Sequence, residues 1–211
     1  MAYDTKDTID QLAGIAAGSA IDRARRGREA ARLGAEEAYR LLLLPENPGD
    51  VSLTERHAIA LFVAGLHQDA GIITHYRHLL DKSDPTDGAL APAVLKAART
   101  GSINGPYGRY PEGPLTREDK AGPAHEVERD VAVLLGERLT SAFNHAHLLV
   151  LRPRESSAAA LQKLLDAGWT QTGIVVLSQL VAFLSFQIRA IAGLRALNAA
   201  HQTASVAVPA E

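Results

Sequence analysis

Imidazoles and carboxylates are the reactive groups this chain has to offer. Its 211 residues include eight histidines and no cysteine. No thiolate nucleophile, disulfide or thiolate-held metal can therefore come from its own side chains. Five of the histidines stand in three settings. His57 lies where Ile59, Phe62, Val63 and Leu66 recur at helical spacing, while Ala60, Leu61 and Ala64 make the opposite side apolar too. That double cover predicts a buried His57, either a hydrogen-bonded core histidine or an acid/base group, since imidazole titrates near neutrality. His75 and His78 share a helix side roughly opposite the Ile72, Ile73, Tyr76, Leu79 and Leu80 stripe. Two histidines without a third ligand do not make a metal site, and no metal is expected. His145 and His147 flank the stripe of Leu139, Ala142, Phe143, Ala146, Leu149 and Val150, as boundary residues do.

These side chains must be positioned by helices. Alanine and leucine are abundant, aromatics make up 5% of the chain, and no alternating strand pattern occurs, so the fold class predicted is all-α. Residues 7–20 read as a short or broken helix weakened by Gly14 and Gly18. Residues 22–44 read as a better one, ending before the Pro45–Pro48–Gly49 turn. Ser52-x-x-Glu55 is a capping box opening the next helix. Further helices are expected over 69–80 and 90–99. Between Gly101 and Pro123, five glycines and four prolines forbid a continuous helix. This loop is either a lid on a pocket or an arm wrapping a neighbouring subunit. Helix resumes near Val127 and stops at Pro153. A short helix follows that Gly168 can end in the left-handed position, and Thr170 can cap a long, nearly all-round apolar helix.

The formal charge is −2, which gives no electrostatic case for nucleic acid. The run Arg23, Arg25, Arg26 and Arg28 reads as the solvated face of a helix. The N-terminus lacks the basic and apolar regions of a secretory signal. Ser178, Gln179, Ser185, Gln187 and Arg189 interrupt the last apolar helix, whereas a membrane span needs ~20 mostly apolar residues. It is read as a core or oligomer-interface helix of a cytoplasmic protein. The organisation expected is one domain over 1–211, with an N-terminal helical extension at 1–50, a helical core at 51–100 and 124–200, and the loop at 101–123.

The order of short helix, Ala167-Gly168-Trp169, long apolar helix and Phe186-x-x-Arg189 resembles the C-terminal half of the alkylhydroperoxidase-D-like (AhpD-like), or carboxymuconolactone decarboxylase (CMD), superfamily. Residues 51–80 resemble its other conserved stretch, and together 51–80 and 139–197 cover about half the chain. The resemblance implies an AhpD-like helical bundle; the long apolar helix and the doubly apolar helix after Ser52 offer more hydrophobic surface than one 211-residue unit needs to bury, so a homo-oligomer is expected. Peroxidase-related members carry a glutamate, then Cys-x-x-Cys-x-x-x-His. Laid on this sequence without gaps, the glutamate falls at His57, the cysteines at Asp69 and Ile72, and the histidine at Tyr76, or at His75 with a one-residue slip. All four positions depart from the pattern. The pattern Asn-Phe-x-Asn-Arg is likewise reduced to Phe186 and Arg189.

The CMD branch works without cysteine or cofactor. The packing implied by the resemblance puts the helices after Ser52 and after Asp69 around a small cavity. His57, Asp69, His75 and Tyr76 then become the candidate catalytic group, with His78 nearby. Arg189 is the candidate cation for a carboxylate, and Tyr107 and Tyr110 the candidates for closing the far side. The function this implies is binding of, or acid/base chemistry on, a small organic acid or lactone, with no cofactor. The alternative is a non-catalytic scaffold or partner subunit that keeps the fold; a more distant one is an oxidoreductase supplied with thiols by a partner protein. Thiol peroxidase activity of the isolated chain is expected to be absent. Turnover of an alkyl hydroperoxide by metal-free, haem-free protein above a heat-denatured control would contradict this.

Overall fold

Ser52 opens the helix around which the larger part of the fold is arranged. Its hydroxyl accepts the Glu55 N–H at 3.2 Å, and the Glu55 carboxylate accepts the Ser52 N–H at 2.8 Å. This is the reciprocal capping box that the sequence spells. The computed structural model describes residues 7–206, with side chains to residue 201. Its helices are α1 Thr8–Ala13, α2 Ala20–Arg26, α3 Glu29–Leu43, α4 Leu53–His67, α5 Ala70–Ser83, α6 Leu90–Gly101, α7 Arg129–Leu151, α8 Ala158–Asp166 and α9 Gln171–Val206. Short 3-10 turns lie at Pro114–Glu118 and Pro153–Glu155. Among the described residues there is no strand, and one isolated bridge pairs Gly108 with Lys120. The fold class is all-α.

The chain forms two compact units, one of Leu42–Ser185 and the other of Met1–Leu41 with Phe186–Glu211. The segment 1–50 that composition sets apart contributes to both.

In the larger unit, α4 packs against α5, α6 and α7, and every residue from Arg56 to Leu66 is buried. Burial on all sides removes its polar groups from water, and each finds a partner. The Arg56 guanidinium donates to the carbonyls of Val51, Leu42 and Pro48 at 2.8–2.9 Å. The closest approach is at Gly65, where a Cβ would stand 2.5 Å from the Ala98 Cβ on α6. The Ala-Gly-Trp segment also has a structural task. Arg138 of α7 donates to the Gly168 and Asp50 carbonyls at 2.6 and 2.7 Å and to the Glu55 carboxylate at 2.5 Å. Its guanidinium lies 4.2 Å from the Trp169 ring centroid, and Trp169 Nε1 donates back to the Arg138 carbonyl at 2.9 Å. One arginine thus ties the start of α4 to the turn before α9. Gly168 adopts φ +84°, as a left-handed helix stop requires, and the Thr170 hydroxyl accepts the Gly173 N–H. Gly136, at φ +75°, breaks α7 into two helical segments.

Val181 and Leu184 on α9 are buried, so they are core residues rather than an exposed surface for assembly. By length and composition, Gln171–His201 is apolar enough to cross a membrane, with 44% of its most apolar window buried; core helices pass the same test.

In the smaller unit Asp7 caps α1 and pairs with Arg25 at 2.8 Å, and Arg25 also meets Asp10. Arg195 donates twice to the Leu12 carbonyl. Arg25 is therefore not on the solvated face expected of the basic run: two carboxylates turn it inward.

Gly65 and Gly34 provide a paired test. Forcing a branched side chain between α4 and α6 overpacks the core, so Gly65→Val should lower the unfolding free energy by about 2–3 kcal/mol. Gly34, in α3, has nothing within 4 Å of where its Cβ would be. There Gly34→Ala should raise stability by about 0.5–1 kcal/mol through helix propensity. Urea midpoints moving in the same direction for both variants would contradict the packing described.

Candidate functional site

The residues expected around His57 separate into two groups. His57 is 4% exposed, and both ring nitrogens are already partnered. Nε2 donates to the Leu43 carbonyl at 2.8 Å, which leaves Nδ1 to accept from the Ser83 hydroxyl at 2.8 Å. Burial holds its pKa below the usual histidine range, against the opposing pull of the Leu43 carbonyl. Tyr76 is fully buried, and half-buried His75 meets its ring edge-on at 5.1 Å. Burial first, then the charges of His78 and His57, lower the His75 pKa, so His57, His75 and Tyr76 do share one region. Asp69 does not join them. Its carboxylate accepts the Ile72 N–H at 3.0 Å and caps α5. His57 stands ten residues before the end of α4, so about 15 Å of helix separates it from that turn. The expected approach of positions 57 and 69 is thus overturned: the first turns of α4 lie beside the last turn of α5, and His57 meets Ser83. Ile72, the other position onto which the resemblance lays a cysteine, is core.

The expected ligand-binding side chains are also placed differently. Arg189, the candidate cation for a carboxylate, is exposed on α9, where water can solvate its charge. Tyr107 is buried. Its hydroxyl donates to the Pro123 carbonyl at 2.9 Å and its N–H to the Leu151 carbonyl at 2.8 Å. Gly122 makes this packing possible, since a Cβ there would lie 1.9 Å from the Tyr107 ring. Tyr110 packs its ring under the Arg154 guanidinium at 4.3 Å. Both tyrosines fasten the 101–123 loop to its own chain at the end of α7.

A cavity of about 370 Å³ opens elsewhere in the same unit. One wall is the α7 face carrying Ser141, His145 and Leu148, continued by Arg152 at its C-terminal cap. A second is α8, through Ala159, Ala160, Lys163 and Leu164, and a third is the segment Ala124–Glu126. Asn144 holds that segment in place by accepting the Val127 N–H at 3.0 Å. His145 and His147 are not boundary residues: they are 5% and 1% exposed.

Three buried nitrogens around this cavity have no protein partner: His125 Nε2, His145 Nε2 and Arg152 Nε. Such atoms are rare in native proteins and each is costly to leave unsatisfied. The other edge of Arg152 is engaged, since one terminal nitrogen donates to Glu155 at 2.8 Å. Behind the cavity, His147 Nε2 donates to the Gly101 carbonyl at 3.0 Å, and its ring lies 4.6 Å from that of His125. Gly101 lets both imidazoles pack close, since a Cβ there would stand 3.1 Å from each ring.

Burial lowers the pKa of all three histidines. For His147 the His125 and Arg152 charges add to it, against the Gly101 carbonyl, and the pKa is pushed down to about 4. For His125 the Arg152 charge adds to burial, with Glu126 and Glu128 opposing; for His145 burial acts alone. The site therefore presents neutral imidazoles, able to accept or give a proton, beside a permanent guanidinium charge. Among the described residues, no group of three or more histidine and carboxylate side chains is arranged to hold a metal ion.

The sequence carried one unused signal for this site. Ser141, His145, Leu148 and Arg152 fall on one helical face at spacings of four, three and four, a polar stripe beside an apolar one. No protein-family model matches the chain, and no curated protein matches it.

His147 makes stability depend on pH. In the unfolded chain its pKa returns to near 6.5. The unfolded state then binds more protons between about 4 and 6.5, so stability rises with pH across that window and is lost as pH falls through it. The effect is worth about 3 kcal/mol. His147→Gln should flatten the dependence of Tm on pH between those limits. An unchanged slope would show that His147 is not held neutral by burial.

Proposed function

We propose that this protein is a cysteine-less AhpD-like protein that binds a small organic acid in the cavity between α7 and α8 and can act on it by acid/base chemistry. The supporting observation is the set of three buried, unpartnered nitrogens on one cavity, contributed by His125, His145 and Arg152. Arg152 Nε can only donate, so it calls for a ligand acceptor, and a carboxylate is the strongest partner for a guanidinium. His145, neutral at physiological pH, is placed to take up or return a proton while the guanidinium stabilises the anion. The reading needs no cofactor, and it extends to a cytoplasmic protein that associates with further copies of itself, for which Val175, exposed on α9, is a candidate contact.

A scaffold role is the second reading. It draws on the family's redox region, where His57 is closed off by Leu43 and Ser83, Asp69 is a helix cap and Ile72 is core.

A thermal-shift screen separates the two. Acetate, hexanoate and benzoate are each compared with the matching amide. A ligand at ten times its Kd stabilises by about 1.4 kcal/mol, equivalent to a Tm rise of about 3–6 °C for a chain of this size. At least one carboxylate should produce such a rise while its amide does not, and Arg152→Met should remove it. No response to any carboxylate would leave the scaffold reading.

A further inference from the structure

Resting on that reading, we infer that the cavity takes a two-headed ligand: a carboxylate at the Arg152 end, a hydroxyl or carbonyl group at His145, and a short apolar chain between them. Two of the cavity's unpartnered nitrogens, on His145 and Arg152, belong to residues well apart along the chain. His145 lies on α7 and Arg152 is the residue that caps its C-terminal end, seven residues on and about 10 Å further along the helix axis. Leu148 comes between them in the chain, and Ala159, Ala160 and Leu164 also line the cavity.

The charged groups collect at one end. Glu155 is ion-paired to Arg152 there, and the Arg152 field reaches His125 and His147. No charged group perturbs His145, whose titration is shifted by burial alone. Glu126 and Lys163 also line the cavity, and Lys163 is exposed. A carboxylate placed against His145 would lose water with no fixed cation to replace it, which is costly. A hydroxyl or carbonyl loses far less, and it satisfies Nε2 in whichever tautomer the imidazole adopts. The guanidinium end has the opposite preference, because Arg152 Nε offers only a donor and a positive charge. An extended chain of about five to seven carbons is of the order of the rise from His145 to Arg152.

Isothermal titration calorimetry of the full-length protein near neutral pH tests this with four probes: 6-hydroxyhexanoate, hexanoate, hexanedioate and 6-hydroxyhexanamide. The terminal hydroxyl should make 6-hydroxyhexanoate bind about tenfold tighter than hexanoate, the worth of one well-made hydrogen bond. Hexanedioate and the amide should each bind at least about tenfold more weakly than 6-hydroxyhexanoate, the first for a second buried charge and the second for a lost one. In His145→Leu the roughly tenfold preference for 6-hydroxyhexanoate over hexanoate should disappear. The comparison of probes on the unmodified protein stands even if that variant fails to fold. Equal binding of hexanoate and 6-hydroxyhexanoate to the unmodified protein overturns the two-headed ligand while leaving the organic-acid pocket intact. So does hexanedioate binding as tightly as the hydroxy acid. Binding by none of the carboxylates overturns both.

Discussion

A helix covered on every side cannot carry an unpaired polar group, and α4 is such a helix. Its burial from Arg56 to Leu66 is the constraint from which much of the larger unit follows. Arg56 must find acceptors, and the carbonyls of Leu42, Pro48 and Val51 fix the path of the chain entering the helix. His57 must satisfy two nitrogens, and it does so by joining the end of α3 to the end of α5 through Leu43 and Ser83. The two polar residues at the start of α4 therefore organise the approach to the core. They also close the region where the superfamily resemblance would look for chemistry.

The local structure was largely legible in the sequence because it is set by local physics. The Ser52–Glu55 box, the left-handed Gly168, the Thr170 cap and the glycine- and proline-broken loop are each decided within a few residues. The burial of His57 was legible as well, from apolar positions on both sides of its helix. What could not be read was which polar groups meet across helices. Position 69 lies twelve residues from position 57, yet the turn between α4 and α5 sends them apart and brings Ser83 to His57 instead. The cavity was missed for a related reason. His145 and His147 sit at the edges of an apolar stripe, where half-exposure is the ordinary expectation. The Ala124–Glu126 segment and α8 wall the cavity beside His145, while the Gly101 end of α6 and the His125 ring cover His147, and none of this is encoded in the periodicity of α7.

The two histidine regions also differ in kind. At His57 each nitrogen is answered by a protein group, which makes the residue a structural joint. At the cavity the answers are incomplete: the backbone of Gly101 satisfies one side of His147, while His125 and His145 keep a buried nitrogen without a protein partner. The loop read as a lid or an arm belongs to this second region through its attachments. Glu155 accepts the Arg109 N–H at 3.0 Å and the Arg152 guanidinium at 2.8 Å, so one carboxylate serves both the loop and the cavity wall.

The Gly65–Ala98 contact reaches further than its own neighbourhood. Ala98 and Gly101 are one helical turn apart on α6, and with no side chain between α4 and α6 at Gly65, α6 has almost no slack to slide or roll. The carbonyl that orients His147, and the gap that admits the His125 ring, are therefore held with the stiffness of main-chain packing. A pocket backed by such a wall selects by shape already present in the free protein: its entropy of ordering is spent on folding, and little is left to be lost on binding.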